Sequence, residues 1–121
     1  MILDGGYAAV ADSVLIGVRS LDPGEVEFIA TSGLADSPER LGDVLDGADG
    51  AYIAFDCDVL EAGEIDCFMP EPGGMKLDEG VALVARVAAS STVLGMGLTG
   101  LLASEANPAR LRRLVAAAGL G

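Results

Sequence analysis

The stretch AYIAFDCDVLEAGEIDCFMPEPGG, Ala51 to Gly74, contains the clearest strand signal in the chain. An apolar run, Tyr52 to Phe55, leads directly into Asp56-Cys57-Asp58. Carboxylates at the end of an apolar strand are costly to bury, so their presence calls for a specific role. We predict a strand over Ala51 to Asp58, with both aspartates at its carboxyl end.

Further elements follow from hydrophobic periodicity and from turn residues. Residues 26–31 are compatible with either a short strand or a turn of helix. A long loop rich in Gly, Pro and acids is predicted over Leu60 to Leu77. The other predicted elements are strands over Ser13 to Arg19 and Thr92 to Leu98, and helices over Pro38 to Ala48, from a cap at Asp78 to Ser90, and from Asn107 to near Gly119.

Apolar strands that alternate with amphipathic helices indicate an α/β protein with a parallel sheet and helices on both faces. We therefore predict a three-layer α/β/α arrangement with about three strands, forming a single domain over residues 1–121. In such sheets ligands gather beyond the carboxyl ends of the strands, which is where Asp56 and Asp58 are expected.

Strand alternation predicts that Asp56 and Asp58 point to one side and Cys57 to the other. Two carboxylates on one side suit a divalent, oxygen-seeking ion such as Mg²⁺, Mn²⁺ or Ca²⁺. The alternative is that the strand has already ended and that the acids are exposed loop residues.

The composition restricts the function classes. A net charge of −12 disfavours nucleic acid and anionic membranes as partners. The chain contains no histidine. Its two cysteines, Cys57 and Cys67, do not make a disulfide framework, and this small number of cysteines favours a reduced, cytoplasmic protein.

The uncharged stretch from Val87 to Ser104 contains three glycines and is better explained by a helix end and a buried strand than by a membrane span. Arg110, Arg112 and Arg113 are expected on a solvated helix face.

Gly95 to Gly100, GMGLTG, matches the dinucleotide pattern G-x-G-x-x-G. The next helix start is near Asn107, however, and the chain lacks the acid that should follow about twenty residues on. Close backbone packing of a buried strand is the alternative use of these glycines.

The central stretch resembles the arginase/agmatinase/formiminoglutamase family, the ureohydrolases. Upstream, VLIGVRSLDPGE is similar to the family's preceding strand and turn, and downstream VLGMGLTGL stands where its last catalytic strand is expected. The resemblance covers most of the chain and corresponds to the carboxy-terminal half of the family's fold. The residues that fall in the family's central pattern are Phe55, Asp56, Asp58, Pro72, Gly73, Gly74 and Glu79.

The resemblance implies an arginase-like fold, of which only the carboxy-terminal half is expected here. It also implies that Asp56 and Asp58 are ligands of a two-manganese (Mn²⁺) centre. That centre activates water for attack on the carbon of a small guanidino or other linear amidine substrate. Catalytic residues are not assigned by the resemblance.

Three departures from the family pattern lower the expected activity. The family's other ligands include histidines, which this chain lacks. Its third signature aspartate is Glu61 here, and Gly100 stands where a glutamate pairs with the guanidinium. We therefore expect a chain that is inactive alone and that associates, either as a homo-oligomer or with a complementing amino-terminal half. The alternative is a non-catalytic interaction module or weak metal binder.

Overall fold

The computed structural model describes residues 13–17, 23–32, 37–67 and 73–120. The described residues fall into two compact units, divided between Gly47 and Ala48. Each unit is described by itself.

The described residues of the first unit form two α-helices. Helix α1 spans Pro23–Ser32. Of the two structures predicted for residues 26–31, a short strand or a turn of helix, the helix is therefore correct. A short 3₁₀ turn, Pro38–Arg40, leads into α2, Leu41–Leu45. Pro38 lies in the first turn, where its missing N–H costs nothing. Leu41 is buried, whereas Val44 and Leu45 of the same helix are half-buried.

The strand predicted over Ser13 to Arg19 is wrong in its described part. Within residues 13–17 only Val14 makes a bridge, and no strand forms. Gly17 has a φ of 72°, a left-handed conformation that turns the backbone out of an extended path. Residues 18 and 19 lie outside the described part of the chain.

The second unit contains a parallel strand pair and two longer helices. Strands β1, Ala51–Asp56, and β2, Val93–Thr99, pair in parallel with an irregularity after Ala51. Helix α3, Leu77–Ser90, connects them, and α4, Asn107–Ala117, follows β2. The predicted parallel α/β arrangement is confirmed, with two strands rather than three in the described residues.

Two predicted boundaries differ from the structure. Strand β1 ends at Asp56 because Cys57–Val59 forms a 3₁₀ turn. Helix α3 begins one residue before Asp78, which therefore lies in the first turn and does not cap the helix. Its amino-terminal cap is Lys76, whose N–H donates to Glu79 Oε1 at 3.4 Å.

The core of the second unit lies between one face of the strand pair and the two helices. Strand alternation turns Ile53 and Phe55 toward this core, whereas Tyr52, 68% exposed, points away from it. On β2, Val93 is buried and Leu94 is 73% exposed. The core therefore lies on one face, and the covering of both faces stays a prediction. The buried members of the core are Phe55, Cys57, Leu60, Ile65, Cys67, Leu77, Val84, Val93, Leu114 and Ala118.

The uncharged segment from Val87 to Ser104 consists of the end of α3, the strand β2 and the start of the loop that follows it. This arrangement agrees with the prediction of a helix end and a strand. Within the described ranges, none of the helices combines the length and the apolar character that crossing a bilayer requires.

Cys57 is fully buried and lies in this core. Burial raises the pKa of its thiol to about 11, and the negative charges of Asp56, Cys67 and Asp58 add to the effect. The protonated thiol is therefore the stable form of Cys57 in the folded chain at neutral pH. Cys67 is also a buried thiol.

Replacing Leu114 by alanine tests the core. Leu114 is 0% exposed, so Leu114→Ala should lower the free energy of unfolding by about 2–5 kcal/mol through lost apolar contact and a residual cavity. Urea denaturation followed by circular dichroism measures the change. Arg112→Ala, at an exposed position of the same helix, should change it by no more than about 0.5 kcal/mol. Equal losses in the two variants would contradict the assigned core.

The raised pKa of Cys57 predicts an alkaline loss of stability. Below pH 9 the thiol is protonated in both states, but between pH 9 and about 11 only the unfolded chain releases the proton. The free energy of unfolding should therefore fall over this interval, by on the order of 2 kcal/mol. Urea titrations at pH 8 to 11 in the presence of EDTA measure the slope. Cys57→Ala should show a shallower slope than the wild type, and an unchanged slope would contradict the assignment.

Candidate functional site

Asp56 is the last residue of β1 and is paired in register with Thr99, the last residue of β2. Parallel pairing brings the carboxyl ends of both strands to one edge of the sheet, where ligands gather in open α/β folds. The side chain of Asp56 is exposed to solvent at this edge. One of the two predicted metal ligands thus lies at the expected end of the sheet.

Asp58 lies near Asp56 for a reason other than the predicted one. The strand ends before Asp58, so the argument that alternation turns both aspartates to one side is wrong. A hydrogen bond joins them instead, in which the backbone N–H of Asp58 donates to Asp56 Oδ1 at 3.3 Å. This bond caps the turn Cys57–Val59 and keeps the two residues adjacent. A shared metal-binding role for their carboxylates stays a prediction.

Gly100 lies directly against the Asp56 carboxylate. A Cβ atom added at Gly100 would be 2.9 Å from Asp56 Oδ1, and the residue has a φ of 76°. A larger residue would strain this backbone, and the Asp56 carboxylate would have to move to admit its Cβ. A side chain at the position where the family resemblance expects a glutamate would therefore displace the Asp56 carboxylate.

Two acids after β1 hold the long loop in place. Glu61 Oε2 accepts a hydrogen bond from the N–H of Gly73 at 2.8 Å. Glu64 Oε1 accepts one from the N–H of Leu77 at 3.1 Å. Glu61, which replaces the family's third signature aspartate, thus fastens the Pro-Gly-Gly segment at Gly73. Pro72, the first residue of that segment, lies outside the described part of the chain.

The G-x-G-x-x-G pattern does not form a dinucleotide-type turn into a helix. Gly95 and Gly97 lie inside β2, and α4 begins only at Asn107. A Cβ at Gly95 would be 3.2 Å from the Tyr52 ring, and one at Gly97 would be 2.7 Å from its hydroxyl oxygen. The two glycines leave room for this ring, so close packing is their use, as the alternative predicted.

Asp66 is the centre of a polar network that the sequence did not reveal. Its carboxylate accepts a hydrogen bond from the Ser104 hydroxyl, and Arg110 Nη1 lies 3.7 Å from Asp66 Oδ2. Arg110 is half-buried, so its expected place on a solvated face is wrong, whereas Arg112 and Arg113 are exposed. Asn107 hydrogen-bonds the backbone of Asp66 on both sides, at the N–H and at the carbonyl.

An open depression of about 420 Å³ adjoins this network. Its lining comes from the segments that follow β1 and β2. The sequence predicted Asn107 only as the start of the last helix. No sequence pattern around Asn107 indicates its hydrogen bonds with Asp66 in the network beside the depression. The residues lining the depression are Gly63, Ile65, Asp66, Cys67, Leu102, Ala103 and Ser104.

The candidate ligands remain two in number. In the part of the chain that the structure describes, no three side chains of His, Cys, Asp or Glu lie close enough together to hold a metal ion. Asp56 and Asp58 are carboxylates, the donor type that Mn²⁺ and Mg²⁺ prefer. Their chemistry fits such an ion, but a complete coordination shell requires further donors.

Comparison with known proteins identifies the fold. The formimidoylglutamase of Bacillus subtilis matches 98% of this chain at a TM-score of 0.79 and 20% identity. The arginase of Entamoeba histolytica, in complex with L-ornithine, matches 93% at a TM-score of 0.75 and 16% identity. The arginase of Bacillus caldovelox matches 89% at a TM-score of 0.73 and 22% identity. These likenesses confirm the predicted arginase-like fold.

The chain spans less than half of each matched structure: 43% of the formimidoylglutamase, 44% of the Entamoeba arginase and 42% of the Bacillus caldovelox arginase. A search of curated proteins finds no match. The model of the arginase family matches residues 1–117. Because that match extends over nearly the whole sequence, the chain belongs to the arginase family.

Proposed function

We propose that this chain supplies Asp56 and Asp58 to a manganese centre that hydrolyses a C–N bond of a linear amidine or guanidino substrate. The observation that carries the proposal is the position of Asp56, exposed at the carboxyl end of β1, in a chain of the arginase family. The matched structures bear the names arginase, formimidoylglutamase and agmatinase. Their variety supports a substrate class and not one substrate.

Asp56, Asp58 and the net charge of the chain each have a defined part in this proposal. Asp56 and Asp58 would hold the metal through carboxylate oxygens, and the Asp58 N–H fixes Asp56 by its hydrogen bond. When bound, divalent manganese lowers the pKa of water and so supplies a nucleophile at neutral pH. The net charge of −12 attracts a cationic guanidino group toward the site.

The remaining ligands would come from residues outside these 121. The chain has no histidine and offers two candidate ligands in its described part. We propose that a complementing amino-terminal half completes the centre, and that the chain by itself is inactive. The cytoplasm, where the thiols of Cys57 and Cys67 stay reduced, is the proposed location.

A non-catalytic role is the second candidate, and Gly100 favours it. The glutamate expected to pair with the guanidinium is replaced by Gly100, which has no side chain to make that contact. In that case the chain is an interaction module that retains the fold and binds metal weakly.

Titration with Mn²⁺ tests the ligand assignment. Isothermal calorimetry of the purified chain should give a binding signal that Asp58→Asn weakens by about tenfold or more, because one charged donor is lost. Asp49→Asn is the matched control, since Asp49 is exposed and precedes β1 at the opposite end of the strand. A signal that is unchanged in Asp58→Asn excludes the aspartate pair as the site.

Urea release from arginine or agmatine tests catalysis. The chain alone should release none, and addition of a family amino-terminal half that carries the missing histidine ligands should restore manganese-dependent release. Absence of release in both arrangements favours the non-catalytic role.

Sedimentation tests the proposed association. Tyr52 on β1 and Leu94 on β2 are both largely exposed, whereas parallel strands are normally covered on both faces. Without a complementing half, the chain should sediment as a dimer or larger species at micromolar concentration. Leu94→Glu should shift it toward the monomer, and Glu105→Gln, at another exposed position, should not. A monodisperse wild-type monomer would contradict the prediction.

A further inference from the structure

Asn107 is the first residue of α4, and its polar side chain is buried. The hydrogen bonds of this side chain are made to residues outside α4. Asn107 is 3% exposed. Its Nδ2 group donates to the carbonyl oxygens of Asp66 at 2.7 Å and Leu102 at 2.9 Å. Its Oδ1 accepts from the N–H of Asp66 at 3.0 Å. Both amide protons and the carbonyl oxygen are therefore used, and no other side chain of similar size offers this combination.

These bonds join the two segments that leave the carboxyl ends of the strands. Asp66 belongs to the segment after β1, and Leu102 to the segment after β2. The same two segments also meet directly: the N–H of Leu102 donates to the Asp66 carbonyl at 3.1 Å, and Cys67 forms an antiparallel bridge with Leu101. Asn107 closes this contact from the side of α4, and we call the whole contact the Asn107 junction.

The junction bears on the candidate metal site through Gly100. Gly100 lies two residues before Leu102, and its backbone approaches Asp56 so closely that an added Cβ would be 2.9 Å from Oδ1. The N–H of Asp58 contacts the same oxygen at 3.3 Å. The Asp56 carboxylate is thus flanked by its own turn and by a segment whose path depends on the Asn107 junction.

We propose that Asn107 is a positioning residue, which holds Gly100 against Asp56 and thereby sets the orientation of that carboxylate for a divalent cation. The part of this inference that concerns the cation rests on the proposed function. The part that concerns the position of Gly100 does not. Removal of Asn107 should leave the helices in place but let the segment after β2 move away from Asp56.

The first experiment needs no metal. In nuclear magnetic resonance of the isotope-labelled chain, a nuclear Overhauser effect between Gly100 Hα and Asp56 Hβ should be present in the wild type and lost in Asn107→Leu. The amide protons of Asp66 and Leu102 should also lose their protection from hydrogen exchange. Retention of both signals in a folded Asn107→Leu variant would overturn the proposal, whatever the metal result.

The second experiment measures Mn²⁺ affinity. Asn107→Leu should weaken binding by about tenfold or more, as loss of an orienting contact behind a ligand typically does. Asn107→Asp, which replaces the donating amide by an oxygen facing two carbonyls, should do the same and serves if the leucine variant fails to fold. Equal affinity in wild type and a folded Asn107 variant would overturn the inference.

Val84→Ala is the matched control. Val84 is 3% exposed in α3 and touches neither segment of the junction through a hydrogen bond, so the variant loses stability without disturbing Asn107. At a temperature where circular dichroism shows every variant folded, Val84→Ala should bind Mn²⁺ like the wild type and keep the Gly100 signal. Equal weakening in Val84→Ala would assign the effect to general stability and overturn the positioning role. If the wild type binds no Mn²⁺ but Asn107→Leu loses the Gly100 signal, the proposed function fails and the positioning of Gly100 stands.

Discussion

Parallel pairing of β1 with β2 is the constraint on which the rest of the second unit depends. It aligns Asp56 with Thr99, so both strands end at one edge and the segments that follow them leave together. Parallel strands need a long crossover, and α3 supplies it while burying Leu77 and Val84 against the strands. The candidate site and the Asn107 junction occupy the same edge as a result of this one arrangement.

Several acids near the site have a structural role, so the negative charge of the chain does not serve solubility or ligand attraction alone. Glu61 and Glu64 accept backbone hydrogen bonds from the far side of the loop, and Glu79 accepts one at the start of α3. Carboxylates that accept backbone N–H bonds satisfy donors that would otherwise be left without a partner. Asp56 also accepts a backbone N–H bond, from Asp58, and it combines this structural role with exposure to solvent at the end of β1.

The glycines also show that a sequence motif can match a known fingerprint while its residues have a different structural role. Gly95 and Gly97 match a nucleotide fingerprint but make room for Tyr52, and Gly100 makes room for the Asp56 carboxylate. Sequence spacing alone could not distinguish these uses, because the residue that occupies the space above each glycine comes from the neighbouring strand. The alternative of close strand packing was available from the sequence, but the identity of the packed residue was not.

The sequence by itself determined the elements that local patterns control: β1, β2, α3 and α4, their parallel α/β order, and the place of Asp56 at a strand end. Apolar periodicity, proline at a helix start and the run into FDCD act over a few residues, so they can be recognised without a fold. Only the tertiary structure decided the end of β1 at Asp56, the roles of Glu61 and Gly100, and the tie from Asn107 to Asp66 and Leu102. The roles of Glu61, Gly100 and Asn107 depend on hydrogen bonds or close contacts between residues far apart in the chain. The end of β1 depends instead on the local turn Cys57–Val59, which the apolar pattern of the sequence does not show.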